Sequence, residues 1–142
     1  MSKLSRSQRR EAAFLLIYQS MLNDDSVEEI LEMNIEEFDM QTDDSVMQTV
    51  KIVQEYAVQA DEIINKYSTT RKIQRIPKIC VAVMRLAIYE MDCLDKKEVP
   101  DKVAINEAIE LCKKYAGDKD CKFVSGLLGS YYREKNAKLG TE

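Results

Sequence analysis

The chain has no histidine and no tryptophan, and only four glycines and two prolines. Without histidine the commonest general base is gone, and with it any Ser-His, Cys-His or two-histidine metal arrangement. Neither G-x-x-x-x-G-K-[ST] nor G-x-G-x-x-G occurs, so no phosphate-cradling loop is written here. The four cysteines, Cys80, Cys93, Cys112 and Cys121, make no C-x-x-C. A zinc site would need all four thiolates at irregular spacing. Cys80 and Cys112 fall on apolar helix faces, as small buried thiols do, which suits a reducing compartment. There is no run of 18 apolar residues and hence no membrane span. The apolar stretch behind the N-terminal arginines covers only residues 12–18, and no small-residue cleavage site follows, so a mature cytoplasmic N-terminus is expected. Scarce Gly and Pro argue against a many-turned β-sandwich. The expectation is an all-α protein that is not an enzyme and needs no cofactor or metal.

What is present is charge, and it is segregated. Residues 1–10 carry Lys3, Arg6, Arg9 and Arg10 and no acid, whereas residues 11–50 carry eleven acids and no Lys or Arg. Residues 51–142 carry seventeen bases and fourteen acids. The net charge of −4 therefore conceals a basic tip that a polyanion would find and an acidic middle that it would avoid.

Helical periodicity runs through the chain. Ser5-x-x-Gln8 and Ser26-x-x-Glu29 are capping boxes, opening helices expected to reach about Leu22 and Met33. After a polar loop over 34–43, Val46, Val50, Val53, Ala57, Ala60, Ile64 and Tyr67 step by fours and threes, which predicts one long helix. From Ile79 to Met91 the chain is apolar on nearly every side, interrupted only by Arg85 and Glu90, and predicts the central helix. Pro100-Asp101 reopens a helix closed by Gly117 at the C′ position, and a last helix is expected over about 121–136. This gives six or seven helices in two small packed bundles, about residues 1–70 and 71–142, within one domain.

Three groups of residues could act. Arg6, Arg9 and Arg10 share one helical face ahead of an apolar stripe. They are either a solvated helix start or a docking site for an anion, since positive charge at a helix N-terminus opposes the dipole. Lys122, Gly126, Gly129 (or Ser130) and Arg133 share a face of the last helix. Two glycines inside a helix cost about 1 kcal/mol each, so either a neighbouring helix packs closely there or an external backbone approaches, with internal packing the ordinary reason. Arg85 in its apolar helix needs a partner, and Glu107 is the expected one, as a structural ion pair.

Four stretches resemble the NusB family of bacterial transcription antitermination factors: "RREAAFLLIYQ" (9–19), "AVMRLAIYEM" (82–91), "VPDKVAINEAIELCKKYAG" (99–117) and "KFVSGLLG" (122–129). Residues 23–70 match only in helical character. Ser125 stands where the family usually has Asn. The resemblance implies an all-helical pair of small bundles that binds RNA together with a small-subunit ribosomal protein, NusE. The pair reads the boxA element of nascent ribosomal RNA transcripts, as single strands, and helps RNA polymerase in the elongation complex pass terminators. It implies RNA contact by Arg6, Arg9 and Arg10, with Lys3 beside them, and by Lys119, Lys122 and Phe123. The basic stretch with Arg71, Arg75 and Lys78 is the expected partner face. The same fold occurs as an accessory domain of ribosomal RNA cytosine methyltransferases, and at 142 residues the stand-alone factor is expected. The competing reading is a helical protein-interaction module or homodimer whose arginines are merely solvated.

Overall fold

The computed structural model describes residues 4–138, and all its regular structure is helical: seven α-helices and one 3₁₀ turn, with no strand among the described residues. Lys3 lies outside the described residues. None of the described helices is long and apolar enough to cross a membrane. Contacts divide the chain into two compact units, Met1–Glu55 and Tyr56–Glu142. The division falls earlier than the break expected near residue 70.

The first unit is α1 (Arg6–Ser20), α2 (Val27–Phe38) and α3 (Asp44–Glu55). Both capping boxes form. Ser5 Oγ accepts from the Gln8 backbone N–H at 3.1 Å while Gln8 Oε1 accepts from the Ser5 N–H at 2.8 Å, and Ser26 with Glu29 repeats the arrangement. Phe14, Leu16, Ile17, Ile30, Val46, Val50 and Val53 are buried, at one face of each helix. α2 runs past the expected Met33 to Phe38 because Asn34, a residue that reads as loop, is buried and fully occupied. Its amide and that of Gln19 on α1 bond reciprocally at 2.9 and 3.1 Å, and Asn34 Nδ2 also donates to the Ile30 carbonyl at 2.7 Å. α2 ends on Asp39 at φ 53°, a left-handed position usually given to Gly or Asn.

The second unit is α4 (Ala57–Tyr67), the 3₁₀ turn (Ile73–Arg75), α5 (Lys78–Cys93), α6 (Asp101–Tyr115) and α7 (Asp118–Lys138). α5 is the centre: from Cys80 to Met91 every residue but Arg85 is buried. Where one long helix was expected, α3 and α4 are separate, broken at Tyr56 (φ −84°, ψ −1°). The Tyr56 hydroxyl donates to Asp92 and its ring meets Tyr89 edge-on at 6.3 Å. α4 restarts at once, so the three-four spacing continues across the break and hides it.

Gly117 follows α6 as expected but does not adopt the left-handed conformation. Its carbonyl instead accepts from the Cys121 N–H at 2.9 Å, so it opens α7 rather than sealing α6. The end of α5 is clamped by polar groups. Asp92 accepts from Tyr56 and Tyr131, and Lys135 of α7 donates to the Met91 carbonyl at 2.6 Å and to Asp101 at 3.0 Å. Lys96 sits 2.7 Å from the same Asp101. Burial first, and then the bond to Asp92, pushes the Tyr56 and Tyr131 hydroxyls well above the usual phenol range.

Candidate nucleic-acid interface

The start of α1 carries the three arginines, but they do not form one solvent-facing cluster. Arg6 and Arg9 are exposed, whereas Arg10 keeps only 6% of its exposure and turns into the protein. Arg9 Nε donates to Asp43 Oδ2 at 3.0 Å. Asp43 itself caps α3, its Oδ1 accepting from the N–H groups of Ser45 (3.0 Å) and Val46 (3.3 Å). Hydrogen bonds from the Ser45 hydroxyl and then from Arg9 hold the Asp43 carboxyl below its usual range. The shared face expected of the three arginines is thus split between solvent and the interior. Leu4 ahead of α1 is already buried.

The second basic region lies at the start of α7. Lys119 and Lys122 are exposed and Phe123 is half-buried. One turn of helix beyond Lys122 and Phe123, Gly126 is exposed, and a Cβ built there would meet nothing within 4 Å. Internal packing, the ordinary reason for a helix-interior glycine, is therefore not the reason at this position. At Gly129 a Cβ would meet only the flexible end of Arg133, at 3.3 Å. The Arg133 guanidinium donates to Ser130 Oγ at 3.3 Å. The result is a strip of nearly bare backbone with cations at both ends.

Arg71, expected on a protein-partner face with Arg75 and Lys78, lies over the Phe123 ring with its Cζ 4.9 Å from the centroid. Arg75 and Lys78 are exposed, in the 3₁₀ turn and at the start of α5. Arg85 meets Asp61 of α4, donating through Nε at 2.8 Å and Nη2 at 2.7 Å, whereas the charge pattern had pointed to Glu107. This fork is a structural pair, half-buried at both ends. Asp61 and Asp92 escaped the sequence reading because each is one acid among many on a polar helix face. The sequence offered a usable signal only for Asp43, in the Asp-x-Ser that precedes a helix.

Two of the cysteines are buried and inert. Burial pushes the Cys80 and Cys112 thiols up to about 12, so neither is a thiolate at neutral pH. No group of three or more acidic or Cys side chains among the described residues is arranged to hold a metal ion.

The described residues define an all-helical class of protein, with exposed cations along the edges of α1 and α7. The NusB family profile matches residues 7–133, and the chain belongs to that family. A transcription antitermination protein NusB from Acetivibrio thermocellus is 38% identical over 134 residues, spanning 93% of this chain and 91% of the relative. Among solved structures, NusB from T. maritima is similar with a TM-score of 0.76 at 28% identity, covering 94% of each chain. A chain in the crystal structure of antitermination factors NusB and NusE in complex with dsRNA also has a TM-score of 0.76. It is 26% identical, over 91% of this chain and 96% of that one.

Proposed function

We propose that this chain is a non-enzymatic antitermination factor that binds boxA-type single-stranded RNA of nascent ribosomal transcripts jointly with the ribosomal protein NusE. In that role it modifies elongation by RNA polymerase, in the cytoplasm. The observation that carries this reading is the edge of α7, where Lys119, Lys122 and Phe123 lead into the open backbone at Gly126. Lysines neutralise phosphates, an aromatic ring stacks an unpaired base, and a helix without side chains lets a nucleic-acid backbone come close. Arg6 and Arg9 are the arginines of α1 that fit a phosphate contact, since both are exposed. Arg9 takes part only in competition with Asp43, and Arg10 supports the helix from inside.

A contact with protein alone is the second reading. It draws on α2, where Ile35 and Phe38 are 44% and 70% exposed. Anisotropy of labelled boxA and scrambled RNA, titrated with the chain with and without NusE, separates the two. RNA binding predicts preference for boxA, strengthening with NusE, and affinity that falls by about 0.7 log units per log unit of salt for each neutralised phosphate. Equal, salt-insensitive binding of both RNAs would leave only the protein-binding module.

A further inference from the structure

The segment between α4 and the 3₁₀ turn folds around a polar hollow of about 250 Å³, lined by Asn65, Ser68, Thr69, Thr70, Arg71 and Lys72. Such a volume falls short of the roughly 300–1,000 Å³ typical of whole small-molecule sites and suits one group of a polymer. Two internal bonds shape it. Asn65 Oδ1 accepts from the Ile73 N–H at 3.2 Å, and the Ser68 hydroxyl donates to the Arg71 carbonyl. The first leaves the Asn65 amide N–H groups, and the second fixes the turn that presents Arg71. Thr69, Thr70 and Lys72 are exposed and add two hydroxyls and an ammonium. No carboxylate lines the hollow, although the chain holds 25 acids. One wall, Arg71, is also the residue stacked on Phe123.

We propose that this hollow is a nucleotide subsite for single-stranded RNA: a phosphate on the donors of Asn65, Thr69, Thr70 and Lys72, with the neighbouring base on the Arg71–Phe123 stack. The reading rests on the RNA function of the α7 edge and extends that edge onto the α4–α5 connection. A guanidinium suits both halves of the task. Its plane lies flat on aromatic rings and bases, and its charge serves the phosphate. Lysine in its place would keep the charge and lose the plane. Arg71 thereby moves from the protein-partner face to the RNA face.

The test measures anisotropy of labelled single-stranded boxA-type RNA with the full chain and NusE, at several salt concentrations. The variants are Arg71→Ala, Arg71→Lys, Lys72→Ala and Lys122→Ala, each checked for native helix content by circular dichroism. Arg71→Ala should weaken binding about fivefold or more and lower the salt slope by about 0.7. Arg71→Lys should weaken binding while keeping the slope, and Lys72→Ala should lower the slope. If wild type binds and Lys122→Ala weakens it while the Arg71 and Lys72 variants match wild type, the subsite is overturned and the α7 reading stands. If wild type binds no RNA, both fall. Weaker binding of NusE by Arg71→Ala in the absence of RNA, with RNA affinity unchanged, would return Arg71 to the protein face and also overturn the subsite.

Discussion

The two units are both helical, yet different chemistry pins them. In residues 1–55 the Gln19 and Asn34 amides form a neutral buried contact, and of the charged side chains described there only Arg10 is buried. In residues 56–142 the polar contacts are ionic or phenolic, as Asp92 collects two tyrosines, Asp101 two lysines and Asp61 an arginine. All four cysteines and six of the seven tyrosines lie in this second unit. A neutral amide pair is insensitive to salt and pH. A carboxylate clamp is stronger per contact but ties the fold to protonation state.

Removing the clamp should have the largest effect. Asp92→Ala leaves the half-buried hydroxyls of Tyr56 and Tyr131 without their acceptor and should cost about 2–4 kcal/mol in urea unfolding. A loss below about 1 kcal/mol would mean that the phenols find water and that the clamp is ornamental. Next comes Asn34→Ala, expected to cost about 1–3 kcal/mol by stranding Gln19 and emptying a buried site. Its loss should not change with ionic strength. A salt-dependent loss would break the contrast between the units.

Alkali offers a third and gentler way to separate them. In the folded chain burial raises the Cys80 and Cys112 thiols from 9.0 to about 12, and Tyr56 and Tyr131 above 10.0. Between those limits the unfolded chain has released protons that the folded chain keeps, so stability falls as pH rises above about 9. Below 9 the same groups contribute fully. The first unit has no cysteine and one tyrosine, Tyr18. Methyl NMR should show Ile88 and its neighbours losing native shifts during alkaline titration before Val46 and Val50 do. Simultaneous loss would show that the units melt as one.

The smallest effect is also the most selective. Gly126→Ala adds a methyl group to open space and should stabilise α7 by about 0.5–1 kcal/mol. RNA affinity should drop several-fold in the same variant, measured by anisotropy. A gain in stability with unchanged affinity would remove Gly126 from the RNA contact.

Much of this was legible in the sequence where the determinants are local. Ser5 and Ser26 announced their caps through residues three positions on, and α5 announced its central place by being apolar all round. What escaped depends on residues distant in the chain. Tyr56 breaks a helix whose periodicity carries on unchanged, and its contacts are on α5. Asn34 reads as loop until Gln19 is beside it. Arg10 reads as surface because charge is usually solvated, yet the fold buries it. At the candidate site, Lys122 and Phe123 followed from family resemblance. The stacking of Arg71 on Phe123 needed the fold, since fifty residues of chain separate them.

The Arg9–Asp43 pair has one more consequence. An arginine normally enters a nucleic-acid complex trailing mobile chloride, and its opposite number on the polymer sheds sodium. Arg9 instead comes with an anion bolted to the protein, one that also holds the first turn of α3 in place. A phosphate arriving at Arg9 must outcompete a resident carboxylate tethered at high local concentration. In the RNA complex proposed above, Asp43 would be an internal rival to phosphate at this end of the molecule.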